Sequence, residues 1–186
     1  QRRGVLSTSE TGALLAAARN LPGAVQRVLD REPTIERVAE RYADGEAFFY
    51  VGRHAGYPVA LEGALKLKEI SYDHAEGFPA GELKHGPLAL VTPETPVIAL
   101  LTASTNPGKT INNVREVSSR GAPVIGVTSD PSHASAVETT IDVPECGPLE
   151  PVVANVALQL FAYHVADRKG RPIDKPRNLA KSVTVE

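Results

Sequence analysis

The sequence predicts an α/β fold, a three-layer α/β/α domain with a mostly parallel sheet. Three observations predict it. Short apolar runs, rich in β-branched and aromatic residues, recur along the chain and read as buried strands. Segments with helical spacing separate them, the βαβ pattern of a parallel sheet covered on both faces. The 186 residues, 42% of them hydrophobic, are enough for one core of ordinary size and too few for two large ones.

The elements follow in order. Residues 1–10 are polar and open. Ala13 to Ala18 reads as helix, Pro22 interrupts it, and Gly23 to Asp30 resumes with Val25, Val28 and Leu29 at helical spacing. Ser9 is the expected cap of the first of these helices. Ile35 to Tyr42 forms another helical segment that stops near Asp44-Gly45. Ala47 to Val51 is the first strand, ended by Gly52. Pro58 opens a helix running to about Tyr72, since proline suits the first helical position. Ala80 to His85 makes a further helical turn, closed by Gly86-Pro87. Pro96 to Leu101, Ala122 to Thr128 and Thr140 to Val143 are strands. Gly108 to Arg120 and Glu150 to Lys169 are helices, and Gly170 to Glu186 is basic and irregular. The expected organisation is a helical lead-in over 1–44, the α/β domain over 45–169 and a terminal tail over 170–186. In parallel sheets ligands bind at the carboxyl ends of strands, which points to the loops after Val51, Leu101 and Thr128.

Composition excludes some classes. Twenty basic and 22 acidic side chains leave a formal charge of −2, so no nucleic-acid partner is expected. No run of 18 apolar residues suggests a membrane span, and no secretory signal is visible. Cys146 is the single cysteine, which excludes an internal disulfide and reads as a small buried or loop thiol, consistent with a cytoplasmic location. The chain lacks methionine and opens on Gln1, so a piece of a longer protein is expected.

Three constellations could carry chemistry. At 100° per residue, Glu62, Lys66 and Glu69 fall within roughly a 60° arc beside the apolar face of their helix. Spacing alone permits a solvated stripe of ion pairs. The sharper reading is a carboxylate and an amine at a pocket edge, a pairing suited to proton transfer. His85 lies between charged residues and the Gly86-Pro87 stop, and histidine titrates near neutrality without help. His164, inside an apolar helix, reads as a core residue. The tail carries Lys181 among the apolar Leu179, Ala180, Val183 and Val185, a composition that suits packing as well as fraying. A partly desolvated lysine can attack a carbonyl. Two hydroxyl-rich segments, Ser7–Thr11 and Thr102–Asn106, resemble anion cradles; only the second follows a strand and precedes a helix.

The stretches Tyr57–Tyr72, His74–Glu76 with Ala80–Pro87, and Pro176–Glu186 together resemble the carboxyl-terminal part of the glutamine–fructose-6-phosphate aminotransferases, the glucosamine-6-phosphate synthases of hexosamine biosynthesis. The resemblance runs from about Leu21 to Glu186. It implies the second sugar isomerase (SIS) subdomain of the isomerase domain plus the tail, with the glutaminase domain and the first SIS subdomain outside this chain. It further implies that Lys181 forms a Schiff base with open-chain fructose 6-phosphate and that Glu69 moves a proton from C1 to C2. His85 would open the sugar ring across the interface of a homodimer, with Lys66 as an auxiliary lysine. Ala180, Lys181 and Glu69 would contact the substrate or its product glucosamine 6-phosphate. Neither metal nor organic cofactor is implied. The alternative is a non-catalytic SIS module that binds a sugar phosphate and regulates a partner, for which Lys181 is dispensable.

Overall fold

The computed structural model describes residues 4–179. Five strands form one sheet in the order β2-β1-β3-β4-β5, and every neighbouring pair is parallel. They are β1 (Ala47–Gly52), β2 (His74–Pro79), β3 (Val97–Leu100), β4 (Val124–Thr128) and β5 (Thr139–Asp142). The helices are α1 (Thr8–Leu29), α2 (Glu32–Tyr42), α3 (Gly56–Ser71), α4 (Pro107–Ser118) and α5 (Glu150–Arg168).

Alternation along the strands builds the layers. Phe48 and Tyr50 point into one core with Ile98, Leu100, Ile125, Val127 and Ile141, covered by α1, α2, α3 and α5. Phe49 and Val51 point the other way, into a second core with Val97, Ala99, Leu101 and Val124. There α4 supplies Val114 and Val117, and the segment after β2 supplies Ala80, Leu83 and Val91. The three-layer expectation holds, with most of the helical mass on one face.

Several boundaries differ from the sequence reading. Pro22 lies inside a continuous α1 instead of breaking it. A mid-helix proline removes a hydrogen bond and costs about 3 kcal/mol. The turns beyond it are retained because Ala24 and Val28 bury fully in the first core. The cap of α1 is Ser7, not Ser9: its hydroxyl accepts the Glu10 N–H at 3.2 Å while Glu10 accepts the Ser7 N–H at 2.8 Å. These reciprocal bonds hold the Glu10 carboxyl below its usual range. Strand β2 was not foreseen at all, because His74-Ala75-Glu76-Gly77-Phe78-Pro79 lacks β-branched residues and sits at a half-exposed sheet edge. The turn expected over Ala80 to His85 is shorter, a 3-10 turn at Leu83–His85 followed by a second at Pro87–Leu90.

α5 is long and apolar enough by length and composition to cross a bilayer, unlike the sequence expectation. In the fold it is a core helix, with Val153, Leu158, Phe161 and Val165 fully buried against its neighbours. Cys146 is buried as expected, its Sγ 3.9 Å from the Ala17 carbonyl oxygen.

Candidate functional site

Helices α3 and α5 each follow a parallel strand on the same face, so they run side by side in one direction, opposite to the strands. Gly63 permits the close crossing: a Cβ there would stand 2.6 Å from Leu158 Cδ1 and 3.0 Å from Tyr50 Cε1. Both helices therefore end together, at the amino edge of the sheet. The Lys169 ammonium joins both carboxylate oxygens of Asp73 at 2.6 Å, and Arg171 Nε donates to the Ser71 carbonyl at 3.0 Å. The chain leaving α5 is thus tied to the turn between α3 and β2.

The stripe on α3 forms as spaced. Lys66 Nζ donates to Glu69 Oε2 at 2.7 Å and lies 3.7 Å from Glu62 Oε1. Lys66 and Glu69 are about one-third exposed and Glu62 is 40% exposed. The bond to Glu69, foremost, raises the Lys66 amine above its ordinary value. The charge on Lys66 is present at all pH below the usual lysine value and is lost only as pH rises through the raised one. Lys66 is therefore a fixed cation beside Glu69 at neutral pH, a donor that steadies a carboxylate and not a proton acceptor. Glu69 sits in the last turn of α3, three residues before Tyr72.

His85 lies elsewhere. It is exposed on the 3-10 turn after β2, at the carboxyl edge of the sheet, where Ala80 N–H reaches the Gly52 carbonyl. The six residues of β2 separate the two ends by about 20 Å. Within one protomer, then, Lys66 and Glu69 meet and His85 does not join them. Ala180 and Lys181 lie outside the described residues.

The loops at the carboxyl edge are engaged internally. The Ala103 N–H, at the start of the Thr102–Asn106 segment, is taken by the fully buried Glu150 carboxylate at 2.9 Å. Arg53 donates to Asn113 Oδ1 at 2.9 Å, and Thr128 Oγ1 lies 2.9 Å from His133 Nδ1. The Lys66–Glu69 pair stands at the opposite edge of the sheet from these loops. His164 is buried as foreseen; its Nε2 lies 3.2 Å from Glu32 Oε1 but without the alignment of a hydrogen bond.

One group at that edge escaped the sequence reading. Tyr72 follows α3 with φ +68°, and two guanidinium groups lie over its ring, Arg171 at 5.3 Å and Arg177 at 4.3 Å. The Arg177 backbone N–H donates to the Tyr72 hydroxyl at 2.9 Å. Partners 105 residues apart leave no periodic signal in the sequence.

The profile of the SIS domain matches residues 42–166, most of the chain. The chain belongs to the SIS-domain family. This SIS chain is 69% identical over 184 residues to the glutamine--fructose-6-phosphate aminotransferase [isomerizing] of Halobacterium salinarum, covering 99% of the chain and 31% of that protein. It is 48% identical over 187 residues to the enzyme of the same name from Thermus thermophilus, again covering 99% of the chain and 31% of the relative. Among solved structures it resembles the C-terminal domain of glucosamine-fructose-6-phosphate aminotransferase from Francisella tularensis, with a TM-score of 0.84 and 36% identity over 91% of this chain and 49% of that one. The SIS chain therefore spans about a third of the length of the aminotransferases it matches.

Proposed function

We propose that this chain is the carboxyl-terminal SIS part of a glutamine–fructose-6-phosphate aminotransferase, carrying the catalytic groups that convert the ketose phosphate to glucosamine 6-phosphate. The 69% identity over nearly the whole chain carries this reading. The Lys66–Glu69 pair and the return of the tail to the same edge of the sheet support it. The division into a lead-in to residue 44, a SIS domain and a tail from residue 170 is part of the same reading, as are a homodimer and a cytoplasmic location.

The chemistry follows from the side chains. The neutral Lys181 amine attacks the C2 ketone of open-chain fructose 6-phosphate and water leaves, giving an imine. Ammonia released from glutamine elsewhere in the protein displaces Lys181, leaving an imine on C2. That imine acidifies C1–H. Glu69 removes the C1 proton as the electron pair moves toward nitrogen, which takes up a proton to give the enaminol; Glu69 then returns its proton to C2 while the C1 hydroxyl gives up its own, leaving an aldehyde at C1 and an amine at C2 with no net change in protons. Lys66 donates a hydrogen bond to Glu69 Oε2 and so fixes the position of that carboxylate. His85, from the neighbouring subunit, opens the sugar ring, and Ala180 lines the sugar beside Lys181.

The test is Lys181→Ala in the intact aminotransferase. Synthesis of glucosamine 6-phosphate should fall at least a thousandfold while glutamine hydrolysis persists in part. Synthesis at the wild-type rate would remove Lys181 from the mechanism and favour a binding module.

A further inference from the structure

We infer that Glu150 is a built-in carboxylate that fills an anion site at the carboxyl edge of the sheet and so keeps phosphate-type oxyanions out of it. The inference goes beyond the catalytic reading above and does not rest on it. The chain places β2 on one side of β1 and β3 on the other. In open parallel sheets such a switch point is where a ligand crevice forms, between the loops that leave the two strands. The loop after β3 is Thr102–Asn106, the hydroxyl-rich segment that leads into α4. It carries three donors in succession. The Ala103 N–H donates to Glu150 Oε2 at 2.9 Å. Thr102 and Ser104, on either side of it, each hold a buried hydroxyl with no hydrogen-bond partner among the described residues, and Thr102 is fully buried.

Buried donors left unused beside a used one call for a physical reason, because each carries a desolvation penalty. The Glu150 carboxylate uses one of the three donors, and its other oxygen, Oε1, is itself buried without a partner. A phosphate group offers acceptor oxygens in several directions and is the shape that would use all of them. Glu150 stands in its place. It is fully buried in the first turn of α5, where free backbone N–H groups favour negative charge. No cationic side chain pairs with it among the described residues. Room lies alongside: Ala55, Pro58, Val59, Pro148, Pro151 and Val152 line a groove of about 470 Å³ between the first turns of α3 and α5. Pro148 and Pro151 fall just before and just after Glu150 in the chain, so the groove is the approach to the carboxylate. The result is specificity by exclusion. A phosphate held by the loop after β3 would stand at the far edge of the sheet from the Lys66–Glu69 pair.

The experiment measures binding of inorganic phosphate to the intact aminotransferase, by equilibrium dialysis and by hydrogen exchange with mass spectrometry of the peptide that contains Thr102–Asn106. Glu150→Ala should raise the affinity of that loop for phosphate about tenfold or more, read as phosphate-dependent protection of the peptide and one further phosphate bound per chain. Glu150→Ser should do the same, and serine suits a helix start, which keeps the test open where alanine impairs folding. Adding Thr102→Val to either should lower the gained affinity at least about threefold, since it removes a donor while keeping the side-chain shape. The wild type should show no protection at phosphate concentrations that saturate the variants. Protection in the wild type as strong as in the variants would remove Glu150 as the barrier. Folded Glu150→Ala and Glu150→Ser proteins that gain no phosphate, or gain it away from this peptide, would overturn the anion site. Neither result bears on the catalytic reading, which the synthesis assay tests separately.

Discussion

The Tyr50 hydroxyl is fully buried and has no hydrogen-bond partner among the described residues. Burial pushes its phenol far above the ordinary tyrosine range, with the Asp73 charge adding to the effect. An unpaired buried hydroxyl carries its full desolvation cost. Tyr50→Phe should therefore stabilise the chain by about 1 kcal/mol in urea unfolding; a loss of stability would mean that the hydroxyl has a partner. At this scale the sequence was partly legible. The Glu62–Lys66–Glu69 stripe follows from helical spacing, and its ion pairing is present in the fold. The Tyr72 anchor and the Glu150 contact to Ala103 were not legible, since they join residues far apart in the chain, the first the end of α3 to the segment after α5 and the second the loop after β3 to the start of α5.

Among the elements, the strands announced themselves where they are buried. β1, β3 and β4 are buried almost throughout and read as apolar runs. β2 is polar, half-exposed and carries Gly77 and Pro79, so its strand identity comes from parallel pairing with β1 and not from composition. Likewise the continuity of α1 through Pro22 is set by burial of Ala24 and Val28, a tertiary term that local propensity omits. The α3–α5 crossing depends on a missing side chain. Gly63→Val would drive methyl groups into Leu158 and Tyr50, both fully buried, and should destabilise by about 2 to 3 kcal/mol in the same unfolding measurement. Unchanged stability would mean that the two helices can separate without cost.

For the whole molecule, the chain spans 31% of the length of the Halobacterium salinarum and Thermus thermophilus aminotransferases it matches. The described residues hold Lys66 and Glu69 at one edge of the sheet and His85 at the other. A single copy of this chain therefore does not bring all the proposed groups together. The 186-residue chain alone should form no detectable glucosamine 6-phosphate from fructose 6-phosphate and glutamine. A coupled assay giving product above background would show that this part suffices.

The parallel course of α3 and α5 has an electrostatic consequence. Each helix carries about half a negative charge at its carboxyl end, and here both ends stop next to each other. Their fields add instead of cancelling, as they would between antiparallel neighbours. Arg168, Lys169 and Arg171 gather at that point, with Lys169 and Arg171 bridging from the end of one helix to the turn that closes the other. Arg171, on the Ser71 carbonyl, thus answers the paired negative ends directly, while Lys169 is taken by the Asp73 carboxylate that the same turn presents.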